Sequence, residues 1–297
     1  MATPFDSRLE QARQRLDAGD AQGALDIENE ILAAADGPVP GLHLLRSATF
    51  FKMDLFNLAL QAAAAEMVVD PSSEEARRKH GQLLALVRLG ECRPGDRNFG
   101  SAIDAKHYHR EEFALQRYKY RGIPMLKNCY DLANYPRLLH QVKPATIIEI
   151  GTFYGGAAIW MADLTRAFGL QTHIYTVDIV SQHIVKDERV TYLRGSGREL
   201  GAVFSNDFLA NLPRPLLVIE DADHEKATTL AALDFFHPIL RSGEYIIVED
   251  GLNFEGVRDA LTEFFQRHGH EYEVDADYCD YFGYNVTWNL NGWLRKR

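Results

Sequence analysis

The chain has 297 residues, 46% of them apolar and 25% charged, with a formal net charge of −10. That is enough for one large domain, or one domain and a smaller appendage, around a real core. The acidic balance argues against nucleic acid as a partner. No stretch is apolar enough for a signal peptide or a membrane span, and Cys92, Cys129 and Cys279 show no ligand or pairing pattern, so a cytoplasmic protein with reduced thiols and no membrane partner is expected.

Residues 1–95 read as an all-α region. Apolar residues fall at helical spacing from Leu9 through Leu16 and from Ala24 to Leu32. Ser72 or Ser73 is placed to cap a helix opened by Glu74 and Glu75. The Ala24-Leu25 and Ala59-Leu60 pairs lie 35 residues apart, near the ~34-residue tetratricopeptide period. Two partial repeats are fewer than such units need to stand alone, so this region is expected to lean on the main domain or on a neighbouring subunit.

Residues 96–140 read as a connector and substrate lid, with a polar helix over 104–114, a loop at 118–124 and a helix from Asp131. His107 and His109 fall here and read as solvated surface. From 141 to 297 the pattern changes. Short β-branched runs end at Ile150, Val177, Leu193, Ile219 and Val248, with helical segments between them. Strands alternating with helices predict an α/β, mostly parallel sheet covered on both faces, with ligands beyond the carboxyl ends of its strands.

The motifs sit at those ends. Glu149-Ile-Gly-Thr-Phe-Tyr-Gly-Gly156 leaves a strand and opens a helix, with Gly151, Gly155 and Gly156 where the backbone must turn sharply. It lacks the dinucleotide spacing. The next strand ends at Asp178, an acidic group suited to ribose hydroxyls. With Glu149 disfavouring a pyrophosphate, S-adenosylmethionine fits best. Glu149, Gly151, Thr152, Tyr154, Gly155, Asp178, Asp221 and, after the third strand, Ser196 are the candidate cofactor residues.

Glu220-Asp-Ala-Asp-His224 and Glu249-Asp250 each follow an apolar strand, separated by one crossover helix. Carboxylates converging from adjacent strands repel unless a cation neutralises them, and hard oxygen ligands select Mg²⁺ or Ca²⁺. A hydroxyl on such a cation loses its proton more easily. His224, three residues after Asp221, is the candidate base, with Asp221 as its catalytic companion.

These motifs, with Tyr120-Arg-Gly-Ile-Pro124, Gly243-Glu-Tyr-Ile-Ile-Val-Glu-Asp250 and the tail from Asn289, resemble the cephalosporin-hydroxylase-like methyltransferases over about residues 118–297. That family includes enzymes of cephalosporin methoxylation, rhamnosyl O-methylation and macrolide-sugar O-methylation. The resemblance implies a class I methyltransferase fold, Rossmann-like and seven-stranded, with a C-terminal antiparallel hairpin for which Gly283–Gly292 is suited. It implies Asp221, Glu249 and Asp250 as metal ligands and His224 as base. It also implies S-adenosyl-L-methionine and Mg²⁺ as cofactors, a small-molecule hydroxyl acceptor and a homo-oligomer. The rivals are a nicotinamide-dependent oxidoreductase, disfavoured by the glycine spacing, and an inactive methyltransferase-like scaffold, disfavoured by the intact acidic set.

Overall fold

The computed structural model describes residues 4–84, 91–180 and 182–297. The chain forms two units, divided at Leu89 and Gly90. The expected end of the helical stretch, at 85–90, lies outside the described residues.

The first unit holds α1 (Asp6–Asp17), α2 (Ala21–Ala34), α3 (Leu42–Lys52), α4 (Phe56–Val69) and α5 (Glu74–Leu84). α1 packs on α2 and α3 on α4. Ala24 in α2 and Ala59 in α4 are both fully buried, so the two small residues that mark the sequence echo sit at matching positions where helices come close. Asp20 caps α2 by accepting from Gly23 N at 2.8 Å, and Ser73 Oγ accepts from Ala76 N at 3.2 Å at the head of α5.

The second unit runs through β1 (Glu91–Cys92), α6 (Ala105–Leu115), β2 (Lys119–Tyr120), β3 (Ile123–Pro124) and α7 (Cys129–Val142). Then come β4 (Thr146–Ile150), α8 (Gly156–Ala167), β5 (His173–Asp178), β6 (Val190–Arg194), α9 (Asn206–Ala210), β7 (Leu216–Glu220) and α10 (Lys226–Phe236). The chain finishes with β8 (Tyr245–Val248), α11 (Glu255–His268), β9 (Tyr272–Asp275), α12 (Ala276–Cys279) and β10 (Trp293–Lys296).

The main sheet has the order β1-β9-β10-β8-β7-β4-β5-β6. β8, β7, β4, β5 and β6 are parallel, and β10, β9 and β1 extend the sheet antiparallel. β4, β7 and β8 are buried at every residue, which is why they read as continuous apolar runs. The seven expected strands are present, and Glu91–Cys92 adds an eighth, placing those residues in the sheet and not in the helical region. The segment expected as a loop at 118–124 carries the short β2–β3 hairpin.

The antiparallel pair is corrected in position. It is β9 with β10, and 283–292 is the connection between them. The alternation Val286-Thr-Trp288-Asn-Leu290-Asn imitates a strand. Its polar side chains instead make buried, non-ladder bonds. Arg97 Nε donates to Asn291 Oδ1 at 2.7 Å, Asn285 Nδ2 donates to Gly100 O at 3.0 Å, and Thr287 Oγ1 donates to Asp131 at 2.5 Å. Asn285 and Asn291 have φ of 50° and 53°, outside the strand region.

Candidate active site

Strand register decides what meets at the site. Ile150 pairs with Val177 on one side and Glu220 on the other, and Glu220 pairs with Val248. The ends of β5, β4, β7 and β8 are therefore level, and the residues that leave them, Asp178, Gly151, Asp221 and Glu249, emerge along one edge. This is the crevice where open α/β sheets bind ligands.

At the β4 end the turn must pass close to β7. A Cβ on Gly151 would stand 1.7 Å from the Asp221 carbonyl oxygen, and Gly151 has φ of 105°, so only glycine fits. Asp178 fixes this turn. Its Oδ2 accepts from Thr152 N at 3.0 Å and Phe153 N at 2.9 Å, and its Oδ1 accepts from Val180 N at 2.9 Å.

Glu149 lies beneath the turn, buried in β4. Its Oε2 accepts from Thr176 Oγ1 at 2.6 Å, and its Oε1 has no partner. Burial pushes its carboxyl up to about 7. The Tyr192 hydroxyl, on β6 beyond β5, is likewise buried and unpartnered.

At the β7 and β8 ends the backbone passes through the left-handed region, with φ of 59° at His224 and 62° at Asp250, residue types that enter it more readily than most. The Asp250 turn is held by its N–H donating to Asn289 Oδ1 at 3.3 Å and by Leu252 N donating to Trp288 O at 2.8 Å. Asp221, His224 and Asp250 bring ligand atoms within 4.8 Å of one another. His224 Nε2 is 3.5 Å from Asp250 Oδ2, its Nδ1 is buried without a partner, and its ring stacks on Phe254 at 4.4 Å. Burial, then the Asp221 charge, pushes Asp250 up to about 6.

Glu249 is not part of that trio. One oxygen accepts from the Lys127 ammonium and the other from the Tyr135 hydroxyl of α7. Lys127, in the segment between β3 and α7, also donates to Asp221 Oδ2 at 2.6 Å. Burial pushes its ammonium down, but the charges of Asp221 and Glu249 outweigh that and hold it above the ordinary lysine range. Burial and Asp221 together hold Glu249 well above the usual carboxylate range.

A cavity of about 400 Å³ joins the two halves. Of the expected residues, Gly151, Thr152, Asp178, Ser196, Asp221, His224 and Asp250 line it. Glu149, Tyr154, Gly155 and Glu249 lie outside its lining. Gly155 is the left-handed cap of α8 and faces Tyr192, while Tyr154 packs against the core and against Phe153 at 4.3 Å. The cavity adds residues the sequence reading missed, among them Lys127, Phe153, Gln182 and the apolar Met125, Leu126, Ile179 and Val180. The one sequence signal for Lys127 is a lone cation in the apolar run from Ile123 to Leu126 and on to α7. His107 and His109 are exposed on α6, as expected. A second convergence, His237, His268 and Glu271, lies elsewhere, and Lys296 closes it by donating to Glu271 at 2.8 Å.

A family model described as Rhamnosyl O-methyltransferase/CmcI matches residues 112–297. The chain belongs to this family. As a member it is a methyltransferase, and the matched span covers the whole cavity edge of the sheet. The chain is similar to the rhamnosyl O-methyltransferase of Mycobacterium tuberculosis strain H37Rv, 29% identical over 240 residues that cover 72% of this chain and 94% of the relative. It is 25% identical over 209 residues to that of Mycobacterium leprae, covering 65% and 90%. Among solved structures, a Mg-SAM form of CmcI aligns with a TM-score of 0.51 at 22% identity, covering 73% of this chain and 95% of that one. The apo form aligns with a TM-score of 0.52 at 24% identity, covering 66% and 85%. These two likenesses identify the class I methyltransferase fold with its antiparallel C-terminal strands. Among the described residues no helix is long and apolar enough to cross a membrane.

Proposed function

We propose that the chain transfers the methyl group of S-adenosylmethionine to a hydroxyl of a small sugar or natural-product acceptor, with Mg²⁺ at the acidic end of the cavity. The observation that carries this reading is the convergence of Asp221, His224 and Asp250 in the same cavity as the glycine turn, in a chain of this family. Relatives named as rhamnosyl O-methyltransferases support a sugar hydroxyl as acceptor.

The residues fit both groups. The turn at Gly151, the Asp178 carboxylate and the apolar Ile179 and Val180 suit a nucleoside with an uncharged base. Glu149 Oε1 and the Tyr192 hydroxyl, outside the cavity lining, are buried polar atoms without a protein partner. The oxygens of Asp221 and Asp250 are hard donors of the kind Mg²⁺ takes, and Asp250 is buried beside like charge.

Bound Mg²⁺ supplies Lewis acidity toward the acceptor hydroxyl, and S-adenosylmethionine supplies the methyl group. The remaining work belongs to the chain. His224 receives the hydroxyl proton, Asp250 stabilises the imidazolium that results, and Phe254 holds the ring plane. The level strand ends keep donor and acceptor in contact, which supplies much of the acceleration. Tyr108 of α6, whose hydroxyl donates to Asn253 Oδ1 at 2.9 Å, ties the proposed lid to the Asp250 turn. The helical unit we read as two tetratricopeptide-like pairs, α1–α2 and α3–α4, supported by the matched burial of Ala24 and Ala59.

The test is methyl transfer from labelled S-adenosylmethionine to a panel of rhamnosyl and other deoxysugar glycosides. Transfer is expected to stop in EDTA and return with Mg²⁺. Full activity in EDTA would remove the metal from this reading, and failure to bind S-adenosylmethionine would remove the reading altogether.

A further inference from the structure

The acidic end of the cavity already contains a cation of its own. Lys127 is 3% exposed at its side chain and donates to Asp221 Oδ2 at 2.6 Å and to Glu249. It bridges the ends of β7 and β8, the two strands whose carboxylates would otherwise repel. Its ammonium stands 5.7 Å from the centre of the Tyr135 ring, whose hydroxyl donates to the other oxygen of Glu249. The ammonium is almost wholly buried, so its charge is held chiefly by these partners.

The cluster thus has two faces. The inner face, Lys127 with Glu249 and Tyr135, is fully satisfied. The outer face, Asp221 with His224 and Asp250, opens to the cavity, and Asp221 belongs to both. A divalent ion at the outer face would sit within a few ångströms of a buried ammonium and share a carboxylate with it. In such surroundings like charges repel strongly.

We infer that Lys127 is a positioning residue that weakens divalent-cation binding, holding the carboxylates together without metal and keeping the site exchangeable. This inference rests on the metal-dependent reading above. It gives Glu249 the task of anchoring Lys127 in the metal-free chain.

The measurement is Mn²⁺ affinity by titration calorimetry, with Mn²⁺ standing in for Mg²⁺, on the full chain and on Lys127→Met. The variant is expected to bind Mn²⁺ at least tenfold more tightly. Its thermal midpoint should rise with added Mn²⁺ far more than the parent's, because the ion replaces the lost charge. Lys127→Gln, which keeps a donor between the carboxylates, is the second variant if Met does not fold, and the same tightening is expected. A residue with a merely structural role would give equal or weaker Mn²⁺ binding when changed, and either result overturns the inference while leaving the metal reading standing. Absence of Mn²⁺ binding in all three proteins overturns the metal reading and the inference with it.

Discussion

The ends of β4 and β5 and the ends of β7 and β8 form two halves of one cavity, and they are finished differently. On the first half, Asp178 accepts three backbone N–H groups and the turn is fixed by bonds internal to the chain. On the second, the carboxylates of Asp221, Glu249 and Asp250, the His224 imidazole and the buried Lys127 ammonium crowd together. The first half is a preformed cradle. The second is a charged site, and that crowding of titratable groups marks where chemistry happens.

Substitutions can break that contrast or sharpen it. The largest effect is expected for His224→Ala, a loss of about 10³-fold in turnover with S-adenosylmethionine affinity unchanged. Calorimetry beside turnover checks it, and an equal loss of both would make His224 structural. Gly151→Ala strikes where the halves touch. A Cβ 1.7 Å from the Asp221 carbonyl at φ of 105° forces the strands apart. The expected cost is about 2–4 kcal/mol of stability, read from denaturant unfolding, and a change below 1 kcal/mol would mean the turn adapts.

A third variant tests the buried floor of the cradle. Glu149 keeps its proton to about pH 7 when folded, against an ordinary 4.5. Between those values the folded state binds more protons than the unfolded one, so stability falls as pH rises through the window. Glu149→Gln lacks this loss. Its stability relative to the parent should climb by about 2–3 kcal/mol from pH 4.5 to 8, and a flat difference across that range would place a compensating charge beside it. The smallest effect is expected for Asp178→Asn, a drop of about tenfold in S-adenosylmethionine affinity with turnover at saturation preserved. A fall in saturated turnover instead would tie the cradle to the chemistry.

The central parallel strands β4, β7 and β8 were legible because each is buried on both faces and so reads as a mostly apolar run. The glycine turn and the Asp221–His224 and Glu249–Asp250 pairs were legible because they interrupt those runs at one end. The connection at 283–292 was misread because alternating polarity marks which side chains are buried without saying whether the backbone pairs. There the buried asparagines bond to Arg97 and to the 98–100 backbone, nearly two hundred residues away in sequence. Tyr135 and Lys127 were missed for the same reason. Their partners lie 114 and 122 residues away.

The sequence by itself determined the alternation of strands and helices, the family and the residue types gathered at the strand ends, because burial and turn chemistry are local and periodic. Only the tertiary structure decided which carboxylates face the cavity. It turns Glu249 to a buried lysine and leaves Asp221, His224 and Asp250 together. That choice depends on how α7 and its preceding segment dock against the sheet, and on the cost of burying charge without a partner, neither of which has a period that a sequence can display.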